Sequence, residues 1–223
     1  MQQTALNIIA IAIFVMTMSA LLGPIFNISP TIPAGTTFGI MVLATIDTLS
    51  WNNKGTTLFL DLFATPQQRQ RVINHEAGHF LTAYFLGIPV TDYTLTAWEA
   101  FKRGHYGQGG VVFDPEVATS QTLDKQEMGL TLDRLCTVWM AGIAAEKLVY
   151  ENTEGGSEDC QQLRIALNRA GLPTSVYGQK ERWGQLQATS LLQRHQQAFE
   201  ALVRAMEERK SVAECCQIIQ ENC

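Results

Sequence analysis

Residues 75–79 read His-Glu-Ala-Gly-His and hold two of the four histidines of this 223-residue chain. In a helix, residues four apart lie one turn apart on the same face, so His75 and His79 can bind one zinc ion together. Glu76 is adjacent and can act as a general base without being a ligand. The alternative interpretation is an amphipathic helix whose two histidines are solvated or packed in a core. A third ligand elsewhere in the chain has to decide between them.

Two classes of zinc protease are excluded by the surrounding residues. A metzincin would have glycine three residues after the second histidine and a further histidine three residues later, but Thr82 and Phe85 occupy those positions. An intramembrane protease of the site-2 type is expected to carry an Asp-Gly pair within an apolar span. The chain contains no Asp-Gly pair.

Two segments, HEAGHFLTAYFLG (75–87) and AGIAAEKLVYENTEGGSED (141–159), resemble the peptidase domain of the FtsH-type membrane metalloproteases. That family has HEAGH on a helix, then a strand-bearing segment, a Gly-x-Ala-Ala-Glu helix and a turn that ends in a ligating aspartate. The same order and spacing extend here from about residue 68 to residue 170. Glu158 stands where the family usually has asparagine, which should tune metal binding without abolishing it.

The resemblance implies a site made of five residues. It makes His75, His79 and Asp159 the ligands of Zn²⁺, Glu76 the catalytic base, and Glu146 a carboxylate that orients a ligating histidine. The simpler alternatives are that Asp159 only stabilises a helix N-terminus and that Glu146 is a surface charge. The other two histidines, His105 and His195, fit no ligand spacing, and we expect His195 to be packed in the core.

The implied activity is that of a zinc-dependent endopeptidase acting on unfolded or flexible polypeptide segments, with membrane proteins as the expected substrates. Because the sequence contains no GxxxxGK[ST] loop, and only 74 residues precede the motif, we expect no ATPase of its own. The alternative is a non-catalytic, protease-like subunit that binds or scaffolds a membrane protein complex or a full-length FtsH-type protease. Homo-oligomerisation also stays open. Retention of the histidines and carboxylates favours the enzyme.

The first 46 residues carry no charged side chain. Residues 5–26 form an apolar run whose helix would be about 33 Å long, enough to cross a bilayer core. We predict a retained span and not a cleaved signal peptide, because no basic residue precedes the run. Residues 31–51 form a second apolar stretch, interrupted by Pro33 and Asp47. We predict that it returns across the membrane, although it could also lie in the interface or beneath the soluble domain.

Charge and cysteine usage bound the location and the partners. Lys54, Arg69 and Arg71 follow the apolar stretches, so the positive-inside tendency predicts an integral membrane protein whose peptidase domain faces the cytoplasm or a stroma. The five cysteines include no CxxC pair, which predicts neither a disulfide framework nor a cysteine zinc ribbon. A net charge of −5 with scattered basic residues excludes a nucleic-acid binder.

Capping residues and hydrophobic periodicity predict the secondary structure. The predicted helices cover about 66–86, 122–150, 158–169 and 185–209, with a last short helix capped by Ser211. The predicted strands are 89–96 and 107–114, and the residues between them, 97–107, are predicted to be mostly loop. The fold class is therefore mainly α with a small β-sheet, a zincin-like FtsH-type peptidase domain preceded by an N-terminal transmembrane region.

The predicted organisation follows chain order. Residues 1–51 form the membrane anchor, 52–66 a connector, 67–175 the zinc peptidase core, and 176–223 the C-terminal helices that complete the peptidase domain. An extended substrate can add to the edge of the second strand through main-chain hydrogen bonds. That edge makes Gly110, Val111 and Val112 the predicted substrate-binding residues.

Overall fold

The structure is a computed structural model that describes residues 2–23, 25–27, 29, 31–50, 54–104, 110–114 and 125–223. It is mainly helical, and its strands form one small antiparallel sheet, as the sequence predicted. His105 and the predicted helical residues 122–124 lie outside the described residues.

The described elements follow one another in the order α1 (Gln2–Leu22), α2 (Thr31–Ser50), α3 (Lys54–Leu62), α4 (Pro66–Phe85), β1 (Val90–Thr94), α5 (Ala97–Lys102), β2 (Gly110–Phe113), α6 (Lys125–Tyr150), α7 (Ser157–Arg169), α8 (Tyr177–Arg194), α9 (Gln196–Glu207) and α10 (Val212–Glu221). A short 3₁₀ turn, Thr174–Val176, precedes α8.

The chain divides into two compact units. The first contains residues 1–68 and 96–109, and the second contains residues 69–95 and 110–223. The segment that carries α5 therefore belongs with the N-terminal helices, although in sequence it lies between β1 and β2. The predicted boundaries were consecutive along the chain and therefore could not assign α5 to the N-terminal unit.

The first unit contains the apolar N-terminal helices. Helices α1 and α2 contact each other, and the Thr37 hydroxyl on α2 donates to Sδ of Met16 on α1 at 2.7 Å. Among the described residues, Thr31–Leu49 is the one helix long and apolar enough to cross a membrane, whereas the apolar part of α1, Ile9–Leu22, is shorter. Helix α1 itself is 21 residues long, Gln2–Leu22, so both spans stay predictions.

The predicted connector contains a helix, α3, whose first turn is capped by a residue of α2. Asp47 accepts hydrogen bonds from the backbone N–H groups of Gly55 and Thr56, both at 2.7 Å, and from the Thr56 hydroxyl at 2.6 Å. The first N–H groups of a helix have no partner within the helix, so the carboxylate satisfies two of them. The charge that interrupts the second apolar stretch is therefore a helix cap.

The prediction that residues 97–107 are mostly loop is wrong for residues 97–102, which form α5. The Thr96 hydroxyl accepts from the N–H of Glu99 at 3.1 Å, and Oδ2 of Asp61 on α3 accepts from the N–H of Ala97 at 3.1 Å. The Thr96 cap is local to the helix, whereas the contact from Asp61 comes from a distant part of the chain and cannot be found from local sequence patterns.

Helix α4, which carries the HEAGH residues, begins where the sequence predicted. Thr65 accepts from the N–H of Gln68 at 3.2 Å, and the Gln68 side chain accepts from the N–H of Thr65 at 2.9 Å. Pro66 occupies the first helical position, where no N–H is needed. The helix ends before Gly87, which has a φ of 70° and so suits the left-handed turn after a helix.

The second unit packs α4 against α6 at a very short distance. A Cβ placed on Gly78 would lie 2.7 Å from the carbonyl oxygen of Ala141 and 2.7 Å from Cβ of Ala145. Glycine on one helix and alanines on the other therefore let the two backbones approach. The same core includes apolar residues of α9, among them Leu202 and Met206.

The prediction of a single helix over 185–209 is wrong. Helix α8 begins eight residues earlier, at Tyr177, and ends at Arg194, while α9 begins at Gln196. His195 forms the break, is only partly buried, and stacks on the ring of Phe85 with 3.9 Å between ring centroids. The apolar spacing continues across the break because both helices bury their apolar faces in one core. Ser211 caps α10 as predicted.

Candidate metal centre

The two histidines and the glutamate of the motif are all buried within the second unit. His75, Glu76 and His79 expose only 8%, 8% and 4% of their surface, because α4 is covered along this face by α6. The imidazole rings of His75 and His79 have centroids 4.8 Å apart, as residues one helical turn apart should.

Asp159 lies in the first turn of α7 and reaches both imidazoles. Its Oδ2 lies 3.0 Å from Nε2 of His75, and its Oδ1 lies 3.3 Å from Nε2 of His79. One ligand atom from each of these three residues lies within 4.8 Å of the other two. The helix carrying Asp159 starts after Gly156, which has a φ of 90° and supplies the turn that aims α7 at α4.

The second nitrogen of each imidazole is held by a hydrogen-bond partner away from Asp159. Nδ1 of His75 lies 2.7 Å from Oε1 of Glu146, and Nδ1 of His79 lies 2.7 Å from the carbonyl oxygen of Val138. Both partners are acceptors, so each Nδ1 carries the hydrogen and each Nε2 is left to face the carboxylate. The two rings are therefore fixed in orientation.

Glu146 is almost fully buried and organises the turn between α6 and α7. It accepts from the backbone N–H of Glu154 at 2.8 Å and of Gly155 at 3.1 Å. The Arg71 guanidinium donates to Glu146 at 3.1 Å and to Oδ1 of Asn152 at 2.8 Å. One carboxylate thus joins the histidine helix, the turn and the cationic side chain.

Two glycines make room for the His75 ring. A Cβ on Gly142 of α6 would overlap the imidazole of His75, and a Cβ on Gly155 would lie 3.2 Å from Cε1 of the same ring. The HEAGH helix therefore needs these two positions to carry no side chain if His75 is to keep its place.

The side chain of Glu76 contacts strand β2, whereas the side chains of His75 and His79 contact α6 and α7. Its Oε2 accepts from the backbone N–H of Val111 at 3.0 Å, and a Cβ on Gly110 would lie 3.9 Å from the same oxygen. In the antiparallel pair, Tyr93 of β1 lies opposite Val111, and no third strand pairs with β2 in the part of the chain that the structure describes. The open edge of β2 therefore runs beside Glu76.

Burial and charge shift the pKa values of the site. Burial lowers the pKa of His75, but its hydrogen bonds to Asp159 and Glu146 outweigh this and raise it to about 10. His79 behaves alike, since the Asp159 charge raises its pKa against the effect of burial. Burial would raise the pKa of Asp159, yet the two histidines hold it well below its usual range. Burial raises the pKa of Glu76, as suits a proton acceptor.

The donor set fits a zinc ion. Two imidazole nitrogens and one carboxylate oxygen are a combination that catalytic zinc sites use, with one position left for water or substrate. The hydrogen bonds to Nδ1 of His75 and His79 are of the kind that orient ligating histidines and fix their tautomer.

Comparison with known proteins points in the same direction. No protein-family model matches the chain. Over 120 residues, the chain is 33% identical to the ATP-dependent zinc metalloprotease FtsH 1 of Methylacidiphilum infernorum (isolate V4). This match supports a distant FtsH-related relationship at most. The matched part is 53% of this chain but only 17% of that protein's length.

The structure brings together the residues that the sequence analysis singled out. His75, His79 and Asp159 meet, Glu76 and Glu146 lie beside them, and Gly110 and Val111 border Glu76. Val112 pairs with Asp92 of β1 and has no described contact with this group.

Arg71 was missed as a site residue by sequence reasoning. A signal was present, because Arg71 precedes His75 by one helical turn and therefore lies on the same face of α4. Its guanidinium also lies over the Tyr150 ring, 4.5 Å from the centroid.

Proposed function

We propose that this chain is a membrane-anchored zinc endopeptidase with a zincin-like, FtsH-type peptidase domain. The observation that carries the proposal is the convergence of His75, His79 and Asp159, whose ligand atoms lie within 4.8 Å of one another. A scaffold protein has no need of such a group beside a buried glutamate. The distant similarity to a zinc metalloprotease supports the same chemistry.

In this proposal Nε2 of His75, Nε2 of His79 and the carboxylate of Asp159 hold the zinc ion. Zinc, when bound, supplies a Lewis acid that activates water near neutral pH and polarises the scissile carbonyl. Glu146 and the carbonyl of Val138 keep the two imidazoles in the tautomer that offers Nε2 as the ligand.

Glu76 moves the proton. Its carboxylate takes a proton from the attacking water and later returns it to the nitrogen of the departing amine. The N–H of Val111 fixes one carboxylate oxygen, so the orientation of the base is set by β2. Burial raises the pKa of Glu76 and so strengthens it as a base compared with an exposed glutamate.

The substrate lies along the open edge of β2. An extended polypeptide that pairs with the main chain of Gly110, Val111 and Val112, other than the N–H of Val111 that stays bound to Glu76, would have its backbone next to Glu76. Main-chain pairing needs an extended segment and little sequence preference. We therefore propose unfolded or flexible segments as substrates, with membrane proteins as the physiological source.

The anchor and the partners belong to the same proposal. The candidate span Thr31–Leu49 holds the chain in the bilayer, with the second unit on the cytoplasmic or stromal side. The 223 residues contain no GxxxxGK[ST] loop, so we expect the purified chain to cleave without ATP. A homo-oligomer or a complex with a full-length FtsH-type protease would supply any unfolding that folded substrates need.

The test compares the full chain with a Glu76→Gln variant, both in detergent micelles. Zinc per chain is measured by elemental analysis, and cleavage is followed with a fluorescently labelled, loosely folded protein, with and without ATP. We expect one zinc in both proteins and a loss of roughly 10²–10⁴-fold in cleavage rate in the variant. A Glu200→Gln variant, changed at an exposed position of α9, should cleave normally.

The other results lead elsewhere. Zinc binding without any turnover, in micelles and in lipid, would contradict the enzyme hypothesis. It would favour the alternative, a non-catalytic subunit that binds or scaffolds a membrane complex or a full-length FtsH-type protease. Absence of zinc after exposure to excess metal would remove the ligand assignment itself.

A further inference from the structure

The first unit exposes a set of large apolar side chains outside its candidate span. These residues lie on α3, directly after α3, and on α5, and each exposes half or more of its surface: Phe59 52%, Leu62 75%, Phe63 50%, Trp98 53% and Phe101 52%. We call this set the aromatic platform. Large apolar side chains exposed on two contacting helices make this set a candidate interaction surface.

The platform residues follow helical spacing. Phe59, Leu62 and Phe63 are three and four residues apart, and the rings of Phe59 and Phe63 meet edge to face with centroids 5.1 Å apart. On α5, the rings of Trp98 and Phe101 stack with centroids 5.9 Å apart. Each short helix therefore presents one aromatic face.

A hydrogen bond from a side chain of α3 to the backbone of α5 joins the two helices. Helices α3 and α5 contact each other, and Asp61 of α3 accepts from the N–H of Ala97 of α5 at 3.1 Å. Small residues, Ala97 and Ala100, are buried on α5, while Trp98 and Phe101 stay exposed. Polar and small groups thus form the contact between α3 and α5, and the aromatic rings remain exposed.

The platform begins at the end of the candidate span. Helix α2 exposes its apolar residues nearly throughout, including Leu43, Ile46 and Leu49, while Asp47 is buried because it caps α3. This cap fixes the start of α3 at the last turns of α2. The exposed apolar surface therefore continues from the candidate span Thr31–Leu49 onto the aromatic platform.

We propose that α3 and α5 lie in the headgroup region of the same bilayer that α2 crosses, with the aromatic platform inserted among the lipid chains. Tryptophan is enriched at this depth of a membrane, and lysine can place its stem along apolar surface and its ammonium among headgroups. Lys102 lies beside the platform, with its Nζ 5.2 Å from the centroid of the Trp98 ring, and is therefore a lysine that could place its ammonium among the headgroups.

Lipid is favoured over a protein partner because a bilayer crossed by α2 would already lie next to the platform. A bilayer that surrounds α2 reaches the cap at Asp47, and the platform needs no further molecule to cover it. The proposal rests on the membrane anchor of the proposed function, but it requires neither zinc nor turnover, so a failure of the peptidase chemistry would leave it standing.

The experiment measures the depth of Trp98 in reconstituted full-length protein. A single-tryptophan variant carries Trp51→Phe, Trp139→Phe and Trp183→Phe, and is placed in phosphatidylcholine vesicles with bromine near the headgroup or near the end of the acyl chain. An interfacial helix lies about 5–10 Å into the headgroup boundary, so the shallow bromines should quench the Trp98 emission more strongly than the deep bromines.

A matched control uses the variant that retains Trp183 alone, whose side chain is 49% exposed on α8 of the second unit. It should show no quenching by either lipid. A second probe, Phe63→Trp in a chain with all four native tryptophans changed to phenylalanine, reports on α3 and should match Trp98.

Each other outcome overturns the proposal. Equal emission of Trp98 with and without bromine places α5 away from lipid. Stronger quenching by the deep bromines would make the segment part of a span instead of an interfacial platform. Quenching of Trp183 as strong as that of Trp98 would remove the distinction on which the proposal depends. Emission that changes with protein concentration and not with bromine would assign the platform to a second copy of this chain.

Discussion

The carboxylate of Glu146 lies 2.7 Å from Nδ1 of His75, although 71 residues separate them in sequence. The same carboxylate also accepts from two backbone N–H groups of the turn that leads to Asp159. One side chain therefore sets both the orientation of an imidazole and the path of the chain to the third candidate ligand.

We expect Glu146→Gln to weaken zinc binding by roughly 10–100-fold, as loss of a carboxylate behind a ligating histidine typically does. The measurement is the zinc dissociation constant by competition with a coloured chelator. Glu154→Gln is the matched control, since the Glu154 side chain is 47% exposed and only approaches Arg71. An unchanged zinc affinity in a folded Glu146→Gln protein would contradict the positioning role.

Arg71 should act on zinc through Glu146. The Arg71→Met variant keeps the aliphatic stem but loses the donors to Glu146 and Asn152, so we expect roughly tenfold weaker zinc binding. Arg71→Lys should recover part of the affinity, because an ammonium can still pair with the carboxylate. Arg69→Met, at an exposed position of the same helix, should bind zinc normally. Equal affinity in the two methionine variants would show that Arg71 has no such role.

Gly142→Ala should damage the site through volume alone. The added methyl group would occupy the space of the His75 ring, so we expect a loss of roughly 1–3 kcal/mol in the free energy of unfolding and weaker zinc binding. Gly129→Ala is a control in the same helix, where the added Cβ meets no atom within 4 Å. It should instead stabilise the helix by roughly 0.5–1 kcal/mol. Denaturant unfolding in micelles distinguishes the two, and equal effects would refute the clash.

Zinc binding should release protons at neutral pH. Burial lowers the pKa of His75, but Asp159 and Glu146 raise it to about 10 in the metal-free protein, so the imidazole is protonated at pH 7 and zinc must displace that proton. We expect titration calorimetry in buffers of different ionisation heat to show release of about one proton or more per zinc at pH 7. Binding without proton release would contradict the ion pair.

The stability of the metal-free protein should fall with rising pH for the same reason. A folded-state pKa above the ordinary value of 6.5 gives a stabilising contribution that is complete below about pH 6.5 and lost as the pH approaches 10. Thermal unfolding in micelles with a chelator should therefore show a decline between about pH 7 and pH 10. Asp159→Asn should flatten this decline. A constant unfolding temperature over the range would be the opposing result.

Several features of this protein follow from local sequence rules. The start of α4 at Pro66 and the placement of His75 and His79 on one face need only the chemistry of one cap and the helical repeat. The cap of α10 at Ser211 is of the same kind. Such features lie within a few residues of their cause, so the sequence alone determined them.

Other features depend on residues that meet only after folding. The Arg71 contact with Glu146, the carbonyl of Val138 behind His79, and the cap that Asp61 provides to α5 each join distant parts of the chain. The helix break at His195 is hidden because apolar spacing continues across it. The close packing of α4 on α6 at Gly78 decides which atoms of these helices meet. The distance between two packed helices is a property of the tertiary structure, and the residue spacing within one helix does not determine it.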